Sequence, residues 1–167
     1  EKAPLGYAAK IRDKIETLLE AHYRETFDKW LETERIVCMP YFRLRPSIHP
    51  ATYTDIYARS LYAAEDGDMN KLEQKLVVEL TALPNVRWWH RNIAKQDFAI
   101  NGFIRHYPDI LIMTKSGKLI CAETKGDHLK NDDSREKIAL GQAWRTAAGK
   151  DFRYYMVFEN EENLLPG

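Results

Sequence analysis

Apolar residues recur with a helical period in three segments of the chain. In residues 7–33 they return every three or four positions with charged residues between them, which is typical of a long amphipathic helix. The same spacing predicts a helix over 70–83, where Asn70 can cap the first turn and Pro84 ends the pattern. A third helix is predicted over 134–148. One amphipathic helix cannot bury its apolar side alone, so the first helix needs a partner surface.

Shorter apolar runs between and after these helices predict β-strands. Two of them, 110–113 and 119–122, are almost continuously apolar and flank the turn-forming pair Ser116-Gly117. We therefore expect a hairpin that is buried on both faces. The other predicted strands cover 86–90, 98–100 and 152–158.

The order of the predicted elements indicates the fold class. A helix, three strands, a helix and a final strand favour an α/β layer sandwich. A weakly helical stretch at 53–64 precedes the acidic loop 65–68, which we interpret as a boundary between modules. We therefore expect a helical extension over residues 1–69 and an α/β domain over 70–167.

Composition narrows the class of protein. The 167 residues carry 25 Lys+Arg against 25 Asp+Glu, so bulk charge does not attract polyanions and any nucleic-acid site must be local. Cys38 and Cys121 are too few for a disulfide framework or a four-ligand zinc site. No apolar run approaches the roughly 20 residues of a membrane-spanning helix. We expect a soluble, cytoplasmic protein with no membrane partner and, since it starts at Glu1 without methionine, a fragment of a longer chain.

Polar residues at the ends of two predicted strands are the candidates for catalysis and metal binding. The segment 106–109 ends at Asp109, before one strand of the hairpin, and Glu123-Thr124-Lys125 follows the other. Residues two apart on a strand share a face, so Glu123 and Lys125 point the same way. Carboxylates suit Mg²⁺, and a nearby lysine can act on the attacking water or on phosphate charge. This set suits phosphodiester cleavage; the alternative is that these are ordinary solvated strand ends.

The same residues carry a resemblance to a known superfamily. Pro108-Asp109, a thirteen-residue gap and Glu123-Thr124-Lys125 resemble the PD-(D/E)xK nucleases. The flanking residues are similar to the C-terminal nuclease domain of type III restriction enzyme Res subunits and related helicase-nucleases. These flanking segments are Trp89-His90-Arg91-Asn92, Asn101-Gly102-Phe103, His106-Tyr107 and Gly126-Asp127. The resemblance covers roughly residues 70–160.

The resemblance implies a fold, an activity and partners. The fold would be a restriction-endonuclease-like three-layer core, with the N-terminal extension leading to a helicase motor in the same full-length chain. The activity would be Mg²⁺-dependent endonuclease cleavage of double-stranded DNA, with Mn²⁺ able to substitute, in restriction–modification and antiviral defence. A methyltransferase or specificity subunit would be a further partner. By this resemblance Asp109 and Glu123 are metal ligands, Lys125 is the catalytic lysine, and the carbonyl of Thr124 contacts the metal.

Superfamily members often add an acidic residue from the first helix, and here Glu73 and Glu79 are available. On a helical projection Glu73 lies about 45° from the centre of the apolar face and Glu79 about 75°. A carboxylate turned toward a core is costly unless a cation or hydrogen bonds compensate it. We therefore predict that Glu73 binds the metal or a metal-bound water. The alternative is an edge residue whose carboxylate reaches solvent.

Basic and aromatic residues are interleaved over 86–107, a mixture that suits phosphate contacts and base stacking. The alternative is a buried tryptophan pair beneath a solvated basic strand, with the histidines hydrogen-bonded for structural reasons. On the last helix, Gln142 and Lys137 are candidates for contact with DNA or a metal-bound water. DNA contacts are predicted for Arg91, Asn92, Arg105, His106 and Gln142.

Convergence of the three catalytic candidates depends on the hairpin loop. A two-residue loop, 116–117, would point Asp109 away from both Glu123 and Lys125. A three-residue loop, 116–118, would set Asp109 opposite Lys125 and put all three on one face. Because a slip of one residue reverses every side chain, we predict an odd-membered loop or a compensating bulge.

A second class of function is compatible with the same sequence. The chain can be a non-cleaving module that keeps the nuclease fold and binds DNA or a protein partner. The presence of Asp109, Glu123 and Lys125 together favours catalysis, because degenerate relatives usually lose one of the three.

Overall fold

A computed structural model describes residues 4–126 and 132–159 and shows a mixed α/β protein, which confirms the predicted class. The helices are α1 (Pro4–Glu32), α2 (Lys71–Ala82) and α3 (Asp132–Ala148). The strands are β1 (Tyr53–Thr54), β2 (Glu65–Asp66), β3 (Val86–Arg91), β4 (Ile100–Asn101), β5 (Arg105–His106), β6 (Ile110–Thr114), β7 (Leu119–Lys125) and β8 (Phe152–Phe158). Within these ranges no helix is both long and apolar enough to cross a membrane.

The chain divides into two compact units, Glu1–Val37 and Cys38–Gly167. In the described part of the first unit, α1 is the only regular element. The division differs from the one predicted after residue 69, because residues 38–69 pack within the second unit. Met69 lies in its main core, and Ser60 forms an isolated β-bridge with Trp89.

The weakly predicted helix at 53–64 is wrong. Tyr53–Thr54 pairs instead with Glu65–Asp66 as an antiparallel two-stranded ribbon. Between them Arg59 has a φ of 61°, a left-handed conformation that an α-helix does not contain. The ribbon brings Glu65 to His90 of β3, where its Oε2 lies 2.7 Å from the imidazole Nδ1.

The main sheet has four strands in the order β3-β6-β7-β8. The β3–β6 and β6–β7 pairs are antiparallel, whereas β7 and β8 are parallel. Parallel neighbours require a crossover connection, and the chain between them contains α3. The strand predicted at 98–100 lies outside this sheet: β4 pairs with β5 in a separate two-stranded sheet.

The two helices of the second unit cover opposite faces of the main sheet. Buried side chains of α2, such as Leu76 and Leu80, join the core cluster that contains Val157 of β8. On α3, Gly141 lies against the ring of Tyr154, so closely that a Cβ there would collide with it. Residues three apart on a strand point to opposite faces, so Tyr154 and Val157 mark the α3 and α2 sides. The second unit therefore has three layers.

The loop between β6 and β7 is odd-membered, as predicted, but lies one residue earlier. The backbone N–H of Thr114 donates to the carbonyl of Lys118 at 2.9 Å, so the loop comprises residues 115–117. Gly117 has a φ of 83° and takes the left-handed last position that three-residue hairpin loops require. The predicted loop 116–118 is therefore wrong, although its parity is right.

This register decides which residues meet at the open end of the hairpin. Backbone pairing runs from Met113 opposite Leu119 to Ile110 opposite Ala122. Continued by one residue, this register sets Asp109 opposite Glu123 and not opposite Lys125. Facing residues of an antiparallel pair project to the same side of the sheet. Asp109 and Glu123 therefore share one face.

Candidate metal centre

A cleft of ≈ 470 Å³ lies where the first turn of α2 meets the end of β7. Residues 70–73 line it on the helix side, and Asp109, residues 123–126 and Glu159 line the rest. Asp109, Glu123, Thr124 and Lys125 are thus brought together with Glu73, as the sequence predicts. Gly126 also lines the cleft, whereas its neighbour Asp127 is outside the described residues.

Asp109 is fixed by hydrogen bonds to the strand that it faces. Its Oδ2 accepts the backbone N–H of Thr124 at 2.7 Å and the Thr124 hydroxyl at 2.8 Å. Its carbonyl accepts the backbone N–H of Asn92 at 2.9 Å, which ties the same residue to the end of β3. Asp109 is therefore held in place from both neighbouring strands.

Glu123 is a buried carboxylate with only 4% of its surface exposed. Its Oε1 lies 3.3 Å from Lys137 Nζ and 3.7 Å from Lys125 Nζ. Its Oε2 is buried and has no hydrogen-bond partner among the residues that the structure describes. Burial, reinforced by the charge of Asp109, raises the pKa of Glu123 to about 8, against the lowering effect of the two lysines. Among the described residues, the two lysines therefore offset only part of the cost of burying this carboxylate.

Glu73 combines two roles in the first turn of α2. Its Oε2 accepts the backbone N–H of Asn70 at 3.0 Å, while the Asn70 side chain accepts the N–H of Glu73, which completes a capping box. Its Oε1 lies 3.2 Å from Arg91 Nη2. Burial raises the pKa of Glu73, Arg91 lowers it, and the nearby charge of Asp109 raises it further. The solvent-reaching alternative is wrong, since Glu73 is buried beside the cleft.

The donors of the cleft suit a hard divalent cation. Among the residues that the structure describes, no group of three or more His, Cys, Asp or Glu side chains forms a metal cluster by itself. The cleft offers Asp109 and Glu123 as carboxylate donors, and Glu123 Oε2 is an acceptor without a partner. Mg²⁺ is usually held by one or two carboxylates and keeps several waters. Two carboxylates with a backbone carbonyl therefore fit it.

Two of the predicted DNA contacts are corrected by burial. Asn92 is buried, and its amide donates to the carbonyls of Phe98 at 2.9 Å and Pro108 at 2.7 Å. It organises the backbone before β6 and offers no surface to DNA. His106 is also buried, with Nε2 2.9 Å from Tyr154 Oη. Both residues therefore have structural roles.

The other predicted DNA contacts lie outside the cleft lining. Arg91 is half-buried and bound to Glu73, and its Nη1 donates to the carbonyl of Asp109 at 3.3 Å. Arg105 is exposed, with its guanidinium 5.3 Å from the centre of the Tyr107 ring. Gln142 is exposed on α3. DNA contact stays a prediction for Arg105 and Gln142, whereas Arg91 first serves to orient Glu73 and Asp109.

Several contacts of the site were not predicted from the sequence, although Lys137 itself was a candidate for contact with DNA or a metal-bound water. Lys137 reaches Glu123 from α3, a contact that the helical period alone does not predict. Lys71 and Glu159 line the cleft but resemble ordinary surface residues in the sequence. Tyr154 meets His106 across 48 residues of sequence, and only the fold brings the two together.

Comparisons with known proteins add no assignment, since no family model, curated protein or solved structure matches the chain.

Proposed function

We propose that the chain is a Mg²⁺-dependent endonuclease domain that hydrolyses phosphodiester bonds of DNA. The observation that carries the proposal is the buried Glu123 carboxylate, whose Oε2 has no hydrogen-bond partner and which shares a cleft with Asp109 and Lys125. A divalent cation would supply the missing compensation. The layered arrangement of α2, the sheet and α3 also supports a restriction-endonuclease-like core.

Asp109 and Glu123 would hold the cation through their carboxylates. The carbonyl of Thr124 is a third donor, because the N–H and C=O of a strand residue point toward the same neighbouring strand and the Thr124 N–H meets Asp109. Glu73 is already engaged by Asn70 and Arg91, so it would act through a coordinated water. When bound, Mg²⁺ would polarise a phosphate oxygen and lower the pKa of its water.

Lysines supply the positive charge of the cleft. Lys125 lies 3.7 Å from Glu123 Oε1 and would stabilise the charge that develops on the phosphate during attack. The first N–H groups of α2 are less available to a phosphate, because the capping box between Asn70 and Glu73 already engages them. Lys71, exposed at the same end of α2, is the stronger candidate for a contact with the DNA backbone.

The wider biological role rests on the sequence resemblance alone. It comprises double-stranded DNA as substrate, a helicase motor in the same full-length chain, a methyltransferase or specificity subunit as partner, and a cytoplasmic role in restriction and antiviral defence. The second candidate is a non-cleaving module with the nuclease fold. It is favoured by the two lysines at Glu123 and by Arg91 at Glu73, which balance part of the acidic charge without a cation.

Cleavage of supercoiled plasmid separates the two candidates. The chain is incubated with Mg²⁺ or Mn²⁺, with EDTA as the metal-free control, and nicked and linear products are measured. We expect cation-dependent cleavage by the wild type and none by Glu123→Gln. Glu79→Gln is the matched control, since Glu79 is exposed on α2 beside Lys75. This variant should cleave DNA as the wild type does. Full activity of Glu123→Gln would reject the proposal, and DNA binding by the wild type without cleavage would favour the second candidate.

A further inference from the structure

The second carboxylate oxygen of Glu123, Oε2, lies near a buried pair of side chains, His106 and Tyr154. His106 Nε2 lies 4.0 Å from Glu123 Oε2 and 2.9 Å from Tyr154 Oη. His106 is 2% exposed and Tyr154 0%. The Glu123 oxygen that they approach is the one without a hydrogen-bond partner.

The fold fixes this pair from several directions. Tyr154 pairs with Cys121, which lies two residues before Glu123 on β7, so Tyr154 and Glu123 share a face of the sheet. The ring of Tyr154 packs against Gly141 of α3, where a side chain would collide with it. The His106 and Tyr154 rings meet edge to face, with centroids 5.6 Å apart and planes at 74°. His106 therefore has little freedom to turn.

We propose that His106, held by Tyr154, is a positioning residue that sets the orientation of the Glu123 carboxylate for the cation. This inference rests on the proposed metal site and extends it to residues outside the cleft lining. A carboxylate oxygen has two lone pairs, so Glu123 Oε2 can face the imidazole with one and a cation with the other. The 4.0 Å separation is about one ångström longer than a hydrogen bond, and a small rotation of the Glu123 side chain would close it. Nε2 carries a single hydrogen, so Tyr154 Oη and Glu123 Oε2 would share it in a three-centre bond.

Carboxylates that bind metals are commonly held by such outer hydrogen bonds, and loss of the partner weakens metal affinity by roughly 10–100-fold. Calorimetric titration with Mn²⁺ alone therefore tests the inference without DNA or catalysis. We expect His106→Ala to weaken Mn²⁺ binding by at least roughly 10-fold. His106→Gln keeps a nitrogen near the Nε2 position and should restore most of the affinity, whereas His106→Asn, with its nitrogen nearer Nδ1, should not.

Tyrosine variants control for a general effect on the fold. Tyr154→Phe removes only the hydroxyl and should weaken Mn²⁺ binding in the same direction but less. Tyr155→Phe makes the same chemical change one residue along β8, on the opposite face, and should leave the affinity unchanged. Circular dichroism and thermal unfolding show whether each variant is folded at the titration temperature.

The outcomes separate this inference from the proposed function. Wild-type Mn²⁺ affinity in a folded His106→Ala variant would overturn the inference and leave the metal site standing. Equal weakening by His106→Gln and His106→Asn would also overturn it, because the role would then lie in packing and not in the Nε2 position. Absence of Mn²⁺ binding by the wild type would reject the proposed function itself. If the variants show the expected order of Mn²⁺ affinities but the wild type does not cleave DNA, the inference is supported and only the nuclease activity is rejected.

Discussion

Asp109 accepts two hydrogen bonds from Thr124 on a single carboxylate oxygen, at 2.7 Å from the backbone N–H and 2.8 Å from the hydroxyl. These bonds join the residue before β6 to the end of β7, beyond their last backbone pair, Ile110 with Ala122. In the described part of the chain, the side-chain hydrogen bonds of Asp109 fall on Oδ2, which leaves Oδ1 for a cation. These two hydrogen bonds hold Asp109 in the cleft that Glu123 also lines.

Thr124→Val tests the contribution of this bond. The variant keeps the size of the side chain and the backbone bond but loses the hydroxyl, so the free energy of unfolding should fall by about 1 kcal/mol. Mn²⁺ affinity should fall as well, because Asp109 gains freedom. Denaturant unfolding and calorimetry measure the two effects. Thr146→Val, which removes an exposed helical hydroxyl, should change stability by less than about 0.5 kcal/mol. Unchanged stability and affinity in Thr124→Val would show that the bond is unimportant.

Lys125→Ala should separate metal binding from catalysis. The amine is expected to act on the attacking water or the phosphate charge and not as a ligand, so Mn²⁺ affinity should stay close to that of the wild type. Cleavage should fall by roughly 100-fold or more, the usual loss when a group that stabilises transition-state charge is removed. Lys118→Ala, at an exposed position beside the hairpin loop, is the control. Substantial cleavage by Lys125→Ala would contradict the role of this lysine.

The raised pKa of Glu123 predicts how stability depends on pH. Burial raises this pKa from an ordinary 4.5 to about 8, so the folded protein retains a proton that the unfolded chain has lost between these values. Stability from this group is therefore present below pH 4.5 and is lost as the pH rises through 8. Mg²⁺ should restore stability at the upper end of this range.

Glu123→Gln removes that dependence. In metal-free buffer at pH 8 the variant should be more stable than the wild type, by roughly 1–3 kcal/mol, because an uncompensated buried charge is absent. The advantage should shrink as the pH falls toward 4.5. Thermal unfolding across this range, with and without Mg²⁺, measures both effects. If Glu123→Gln were less stable than the wild type at pH 8 without metal, the raised pKa of Glu123 would be contradicted.

The sequence predicted those parts of the fold in which burial follows a local period. The strand expected at 152–158 is β8, and the helix expected over 70–83 is α2 with the Asn70 cap. In both, the signal that predicts the element, an apolar pattern or a capping residue, lies within or beside the element itself. The position of the hairpin loop was harder to predict, because it depends on which residue takes the left-handed conformation. Gly117 takes it, and that choice placed Asp109 opposite Glu123.

Contacts between distant segments could not be predicted in the same way. Glu73 was identified as a charge turned toward the core, yet nothing in the sequence indicated that Arg91 would meet it. His106 was assigned to DNA because it lies in the basic and aromatic segment 86–107, and only the packing of β8 shows it beside Tyr154. The sequence therefore located the site but not the residues that hold it in place.

A buried ionic cluster links residues 38–69 to the main sheet. His90 Nδ1 lies 2.7 Å from Glu65, and its Nε2 lies 3.3 Å from Asp97, which Arg45 also contacts at 2.8 Å. Burial disfavours the charged imidazole, but hydrogen bonds to Asp97 and Glu65 outweigh it and raise the pKa of His90. This cluster, and not the cleft beside Glu123, anchors the segment that the sequence assigned to the extension.

His90→Ala should therefore lower the free energy of unfolding by roughly 3–5 kcal/mol at neutral or mildly acidic pH, since two buried carboxylates lose their partner. The folded pKa is raised, so the histidine's contribution is present below 6.5, its ordinary value, and declines as the pH rises through the raised value. The difference in free energy of unfolding between wild type and His90→Ala should therefore shrink as the pH rises. His49→Ala, at an exposed position, should have little effect. A pH-independent difference would argue against a charged His90.

The proposed function requires that Asp109 and Glu123 hold a divalent cation in the cleft beside Lys125. Crystals of the chain grown or soaked with Mn²⁺ test it most directly, because anomalous scattering locates the ion independently of the protein phases. We expect one ion in direct contact with both carboxylates and with the carbonyl of Thr124, and loss of that ion in Asp109→Ala. An empty cleft at saturating Mn²⁺, or an ion bound there equally well in Asp109→Ala, would contradict it.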